Sequence, residues 1–353
     1  MEELYHYGIK GQKWGVRRYQ YADGTYTPAG KKRYYTVKNS KGVKKKVLIA
    51  NQRVSELTKR VKTMATGKQY VDGYLKKGTT FARIQTSENF ENFAFYATYK
   101  KQDMDEYLGL FGKNLTSRAS AEAKSAEKQA NASGSESDFI KAKELRDRAD
   151  NMKVYQLKID AVKKLKVPSD ENAGDITANL LKEPEFKKNV EASISDSKDK
   201  MRRPSQQLIF KQAQNALKND PSKLTSSEKV AIYKALNLSL VNHNEQEIAA
   251  QNRFYSELKK KGYNALLDYN DKEFSSYHAK RPMIVFDLDA VKLQSVTEAN
   301  PEIINKLNKK YNAYRIRKEI SANTIDYLTK FGSKSVSECY SYVNRRTDQY
   351  FSR

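Results

Sequence analysis

A chain of 353 residues with 38% hydrophobic and 11% aromatic residues can bury a packed core and is long enough for two or three domains. Its 66 Lys and Arg against 42 Asp and Glu leave a net charge of +24, and the single cysteine, Cys339, excludes an intramolecular disulfide. No apolar run reaches the length of a bilayer span, and the start, with Glu2 and Glu3, lacks the apolar stretch of a secretion signal, so residence in a cytoplasm is expected.

The positive charge is concentrated. Residues 1–68 hold 17 Lys or Arg and 4 Asp or Glu, a net +13 and more than half of the excess. Such a local excess implies a polyanionic partner: nucleic acid, an anionic membrane surface or an acidic protein. Residues 1–35 form a basic aromatic element in which glycines at 8, 11, 15, 24 and 30 interleave with rings and cations. Lys10, Lys13, Trp14, Arg17, Arg18 and Tyr19 are its candidate contacts. Rings there can stack on single-stranded bases while cations hold phosphates, or the same residues can staple the segment to a protein surface. His6 has no Cys and no second His near it in sequence, so no metal site is expected. Residues 36–68 read as a basic connector, with Val54, Leu57 and Val61 at helical spacing before Gly67.

Residues 69–182 read as the first part of an α+β core. Two runs rich in β-branched and aromatic residues, 79–84 and 93–99, flank a polar turn at Thr86, Ser87, Glu88 and Asn89, which predicts a hairpin or a strand pair with a short crossing. Met104, Tyr107 and Leu108 then share one face of a helix over 101–110. The Ala-, Lys- and Glu-rich residues 117–152 predict a helical arm with a break near Gly134, and 154–162 alternate in the strand period before a stop at Pro168. Residues 183–253 read as a helical insertion whose apolar spacing is core-forming, with a helix start at Ser226-Ser227-Glu228. Residues 254–297 return to the core: Gly262 ends a helix, 265–267 form a short strand, 268–281 a polar loop, 283–286 a buried strand, and 289–292 turn out of it. Residues 298–353 read as a basic helical tail peripheral to the core.

Two resemblances add to this reading. The run from Tyr5-His6-Tyr7-Gly8-Ile9-Lys10-Gly11-Gln12-Lys13-Trp14-Gly15-Val16-Arg17-Arg18-Tyr19-Gln20 through Thr27-Pro28-Ala29-Gly30 is similar to a motif of tailed-phage and prophage proteins encoded among head and portal genes. It implies a virion-associated protein in a bacterial host, with capsid or portal components or DNA as partners of the basic N-terminus. The order of the strand-like islands resembles the ADP-ribosyltransferase-like fold, a split mixed β-sheet that grips NAD in a central cleft.

That second resemblance implies that Arg83 contacts NAD phosphate or ribose, that Tyr96 and Tyr99 line the nicotinamide site, and that Thr98 stands where the second strand often carries a catalytic Ser or Thr. A carboxylate must also hold the nicotinamide ribose and stabilise an oxocarbenium-like transition state. Where the family usually carries it, this chain reads Arg281-Pro282-Met283, so Glu273 is the nearest substitute, with Asp271 beside it. The residues also carry plainer readings: Arg83 paired with Asp103 or Asp105, Glu273 and His278 as solvated loop residues. Asp287-Leu288-Asp289 resembles the start of a haloacid-type phosphatase but reads better as a strand end turning into a short helix. Three functions follow as expectations: a virion- or head-associated protein with an ADP-ribosyltransferase-like core, an active mono-ADP-ribosyltransferase acting on a host target, or a nucleic-acid-binding module or nuclease.

Overall fold

A computed structural model describes residues 27–28, 34–38, 44–48, 72–90, 94–200, 203–239, 245–274, 279, 282–332 and 336–351. The chain forms two compact units, Met1–Arg60 and Val61–Arg353. In the first, β1 (Tyr34–Lys38) pairs antiparallel with β2 (Lys44–Leu48), Tyr34 facing Leu48 and Lys38 facing Lys44. Part of the expected connector is therefore a hairpin; its lysines masked a run of β-branched and aromatic residues, Tyr34 to Val37, that favours a strand. The helix expected around Val54, Leu57 and Val61 lies outside the described residues.

The second unit is built on one six-stranded sheet. Its strands are β4 (Thr80–Gln85), β5 (Phe95–Thr98), β6 (Tyr155–Ala161), β8 (Ala265–Leu267), β9 (Pro282–Val285) and β10 (Val291–Glu298), in the order β10-β6-β4-β5-β9-β8. Two short strands, β3 (Gly73–Leu75) and β7 (Leu165–Val167), form a separate antiparallel ribbon. The α+β class holds, but the expected mixed sheet does not: every neighbouring pair is antiparallel. The polar turn after β4 returns the chain beside it, and no crossover helix joins two parallel neighbours among the described residues.

Strand alternation divides the core. Leu266 and Ile284 face each other on the side covered by helices, where they join Phe210, Ile232, Leu236 and Phe254. Phe81, Phe95, Leu157, Ile159 and Val285 face the other way, and Leu165 of the ribbon packs against them. Phe81 and Phe95 meet edge to face at 6.4 Å, the arrangement that ring quadrupoles favour. The helical layer consists of α4 (Asp170–Leu180), α5 (Pro184–Lys200), α6 (Pro204–Leu217), α7 (Ser226–Ser239) and α8 (Glu245–Lys260). Local chemistry sets its boundaries. Ser169 caps α4 by accepting from the Asn172 N–H, and Thr225 with Glu228 makes a reciprocal capping box at α7, one residue earlier than the expected start. Gly262, at φ 80, ends α8 as expected.

Between β5 and β6 lie α1 (Lys101–Glu106), a π-helical turn (Tyr107–Phe111), α2 (Gly112–Ser133) and α3 (Glu136–Asp150). The last two are the expected arm, a hairpin hinged at the left-handed Gly134, with Ala119, Ala123, Ala130 and Ala142 in its seam and Arg146 forked onto Glu127. After β9 a single 3-10 turn (Leu288–Ala290) leads not out of the sheet, as expected, but into the eight-residue β10 beside β6. Lys292, Gln294 and Glu298 make that strand look like loop; they are among its exposed residues on the edge of the sheet.

The C-terminal helices correct a further expectation. α9 (Pro301–Phe331), started by Asn300 and Pro301, is no peripheral tail. Its first turns pack Ile304 against Ile84, Leu108 and Val154, and its later turns bury Glu319 and Asp326 against Arg203 at 2.6 and 3.0 Å. α10 (Val336–Phe351) is tied to it by the Asn323 amide donating to Thr347 at 3.0 Å. Charged side chains that suggest a wetted surface are here internal partners. Gly109, in the π-helical turn, lets α9 approach so closely that a Cβ would stand 2.7 Å from the backbone of Leu307 and Asn308. Gly109→Ala is therefore expected to lower unfolding free energy by about 1–3 kcal/mol in urea titration. Gly73→Ala, whose Cβ meets nothing nearer than 3.9 Å, should change it far less; equal effects would contradict the tight contact.

Candidate functional site

The residues with unusual chemistry gather where the loop after β8 meets the π-helical turn after α1. β8 ends at Leu267, and the next residue, Asp268, is buried. Its N–H donates to the Pro282 carbonyl at 3.0 Å, continuing the sheet for one more bond. Asn237 of α7 brackets it: the side-chain amide donates to the Leu267 carbonyl and accepts from the Tyr269 N–H, each at 3.1 Å. A second π-helical turn (Asn270–Phe274) follows at once. In it the Asp271 N–H donates to the Asp268 carboxylate at 3.1 Å, and the Asp271 carbonyl accepts from the Ala279 N–H at 2.8 Å.

The two π-helical turns touch through their side chains: the Tyr107 hydroxyl donates to the Asp271 carboxylate. π-helical turns are rare, well under 1% of residues, and recur at functional sites, so a direct contact between two of them marks this place out. Tyr96 of β5 lies half-buried in the same neighbourhood. Burial drives its hydroxyl pKa up, Tyr255, Asp268 and Asp271 push in the same direction, and the Arg83 charge works against them. The site therefore draws on β4, β5, the α1 end and the β8–β9 loop.

Asp268 is the most perturbed acid. Burial pushes its carboxyl well above the usual carboxylate range, the Asp271 charge adds to this, and backbone N–H groups of Asp271 and Asn270 pull back. Behind it sits a buried pair, Lys234 and Asp170 at 3.3 Å, with the Tyr269 hydroxyl donating to the same aspartate and the ammonium 5.1 Å from the Tyr269 ring. These contacts fix Tyr269, the residue that follows Asp268.

Against this geometry, the comparisons with known proteins are narrow. A family of unknown function (DUF7211) matches residues 1–21. No curated protein and no solved structure matches the chain.

The expected site residues fall out as follows. Tyr96 is brought within electrostatic range of both Arg83 and Asp271. Thr98 stands opposite Ala82, is fully buried, and donates to Asp103 of α1 at 3.4 Å, which makes it a strand–helix junction rather than a wall of open space. Tyr99 packs its ring edge to face on Phe81 at 6.1 Å, with Lys100 over it. Asp105 accepts from the Tyr311 hydroxyl at 3.5 Å. Glu273 lies in the second π-helical turn, but its side chain is outside the described residues, as are His278 and Arg281, and so are Lys10, Lys13, Trp14, Arg17, Arg18 and Tyr19. Asp287 is a structural anchor: although burial alone would raise its pKa, the Asn264 amide at 2.6 Å and Lys163 at 3.1 Å hold it low.

Sequence reasoning missed Asp268 and the role of Tyr107. Asp268 and Asp271, spaced i and i+3 directly after an apolar strand, carry a readable signal; Tyr107 reads as one more ring on a helix face. Because the folded chain keeps a proton on Asp268 at pH values where the unfolded chain has lost it, this residue erodes stability as pH rises from about 4 toward the raised folded pKa. Asp268→Asn, which keeps the acceptor for the Asp271 N–H, should then be no less stable than the parent at about pH 8, its relative advantage shrinking toward about pH 4. Urea titrations at both pH values check this. An equal loss at both would mean that the carboxyl is ionised in the fold.

Proposed function

We propose that the core is a nucleotide-binding module of the ADP-ribosyltransferase-like kind, with Asp271 rather than Glu273 as its working carboxylate and with Thr98 outside the chemistry. It is carried in a phage- or prophage-encoded, virion- or head-associated protein. The observation that carries the enzymatic part is the meeting of the two π-helical turns through Tyr107 and Asp271, beside Asp268, whose pKa burial raises. The residues present fit NAD in kind: the Arg83 cation for a diphosphate, the half-buried Tyr96 ring for the nicotinamide, and the Asp271 carboxylate for a ribose hydroxyl.

Bound NAD would supply a glycosidic bond whose cleavage develops positive charge on the ribose. Asp271 would stabilise that charge, with Tyr107 donating to its carboxylate, and the raised pKa of Asp268 favours a proton there over a second negative charge beside the ligand. The buried Thr98 supports the junction between β5 and α1 in this reading.

A ligand at about 100 times its dissociation constant stabilises a fold by roughly 2.7 kcal/mol, which a thermal midpoint resolves. Millimolar NAD should raise the midpoint of the parent protein and not that of Arg83→Ala. Asp271→Asn should keep the shift and lower the rate of nicotinamide release about 100- to 1000-fold. No shift in the parent sinks the NAD reading; a shift with unchanged turnover in Asp271→Asn moves the chemistry to another residue.

The virion part rests on the resemblance of residues 5–30 to head-module proteins and on the +13 charge of residues 1–68. Deleting residues 1–35 should abolish co-purification with phage particles while leaving the melting transition of the core in place. Retained association in the truncated protein would rule out this segment as the anchor.

A further inference from the structure

Away from the paired aspartates, the first turns of α6, the last turn of α9 and the middle of α10 enclose a cavity of 440 Å³. Three cations line it, Lys211, Lys330 and Arg346, together with the polar side chains of Gln207 and Thr329 and the half-buried ring of Tyr342. Among the described residues no carboxylate lines it and none of the three cations is ion-paired.

The walls are fixed from behind. Ser205 of α6 donates from its hydroxyl and its N–H to Asp326 of α9 at 2.5 and 3.3 Å, and Arg203 bridges to Asn323 and Asp326 at 3.1 and 3.0 Å. Asn323 in turn holds Thr347 of α10, one residue beyond Arg346. The Tyr342 ring is packed on Tyr327 and Phe331, with centroids 5.5 and 5.8 Å away. Three like charges are thus carried by helices that cannot splay apart to relieve their repulsion, and an anion seated among them offsets it.

Size and lining narrow the ligand. The volume lies in the range of small-molecule sites. It suits a mononucleotide, with phosphates among the cations and a base against the Tyr342 ring. We infer that this cavity is a phosphate-binding site for a nucleotide, taken either free or as the phosphorylated end of a single strand. It shares no residue with the Arg83–Asp271 cluster, so it stands or falls independently of the core's proposed chemistry.

Fluorescence anisotropy of a labelled nucleoside triphosphate on the full chain tests this. Lys211→Gln combined with Arg346→Gln should weaken binding about 10-fold or more, since two charge-assisted contacts are removed. Lys153→Gln, which removes an exposed cation paired with Glu298, should leave it unchanged. Competition separates the sources: an unlabelled nucleoside triphosphate displaces the probe in either case, whereas displacement by a short 5′-phosphorylated oligothymidylate, lost in the double variant, assigns the site to nucleic-acid ends. Undetectable binding in the parent overturns the inference. So does a double variant that melts at the parent's temperature and binds as tightly.

Discussion

A buried arginine governs where everything else sits. Arg203 stands just before α6 and spends hydrogen bonds on the Glu319, Asn323 and Asp326 side chains of α9 and on the Phe274 carbonyl at the end of the second π-helical turn. Burying such a cluster costs several kcal/mol in desolvation for each ion, and well-packed apolar residues often do as well energetically. Its contribution is therefore better sought in position than in net stability. Removing the arginine alone would strand two buried carboxylates at about 3–5 kcal/mol.

Position is what the site needs. α9 touches the first π-helical turn where Leu307 and Asn308 press on Gly109, and it reaches the second through Glu319 and Asp326 by way of Arg203. Those contacts lie 11 to 19 residues apart, roughly 17–29 Å along a helix. One rigid rod thus sets both Tyr107 and Asp271, the two residues whose side chains meet. A helix that sequence alone assigns to the periphery is the gauge that brings the turns together.

How much was legible follows the same division. Strands β4, β5, β6, β8 and β9 announce themselves because each buries at least one face, so β-branched and aromatic residues recur where the pleat demands them. β10 and the β1–β2 hairpin are hidden by lysines and other polar residues, which edge strands tolerate and which read as loop or connector. The helical layer is legible from apolar spacing, whereas the anchoring of α9 is not, since Glu319, Asp326 and Lys318 look like any wetted helix face until their partners Arg203 and Glu106 are known. At the site the pattern repeats. Arg83 and Tyr96 can be picked out locally on their strands, and Asp271 as a neighbour of Glu273. Tyr107 belongs to the site only through a contact 164 residues away, which no local pattern encodes.

The two aspartates pose an electrostatic problem that the fold answers with a proton. A chain of net charge +24 draws anions, but a pair of ionised carboxylates at the end of a β-strand would turn a phosphate-bearing ligand away at short range. Burial of Asp268 and the Asp271 charge beside it both raise its pKa, which favours one negative charge on the pair over two. That leaves Asp271 as an acceptor held by Tyr107 and Asp268 as the acid that burial and the neighbouring charge favour in its neutral form.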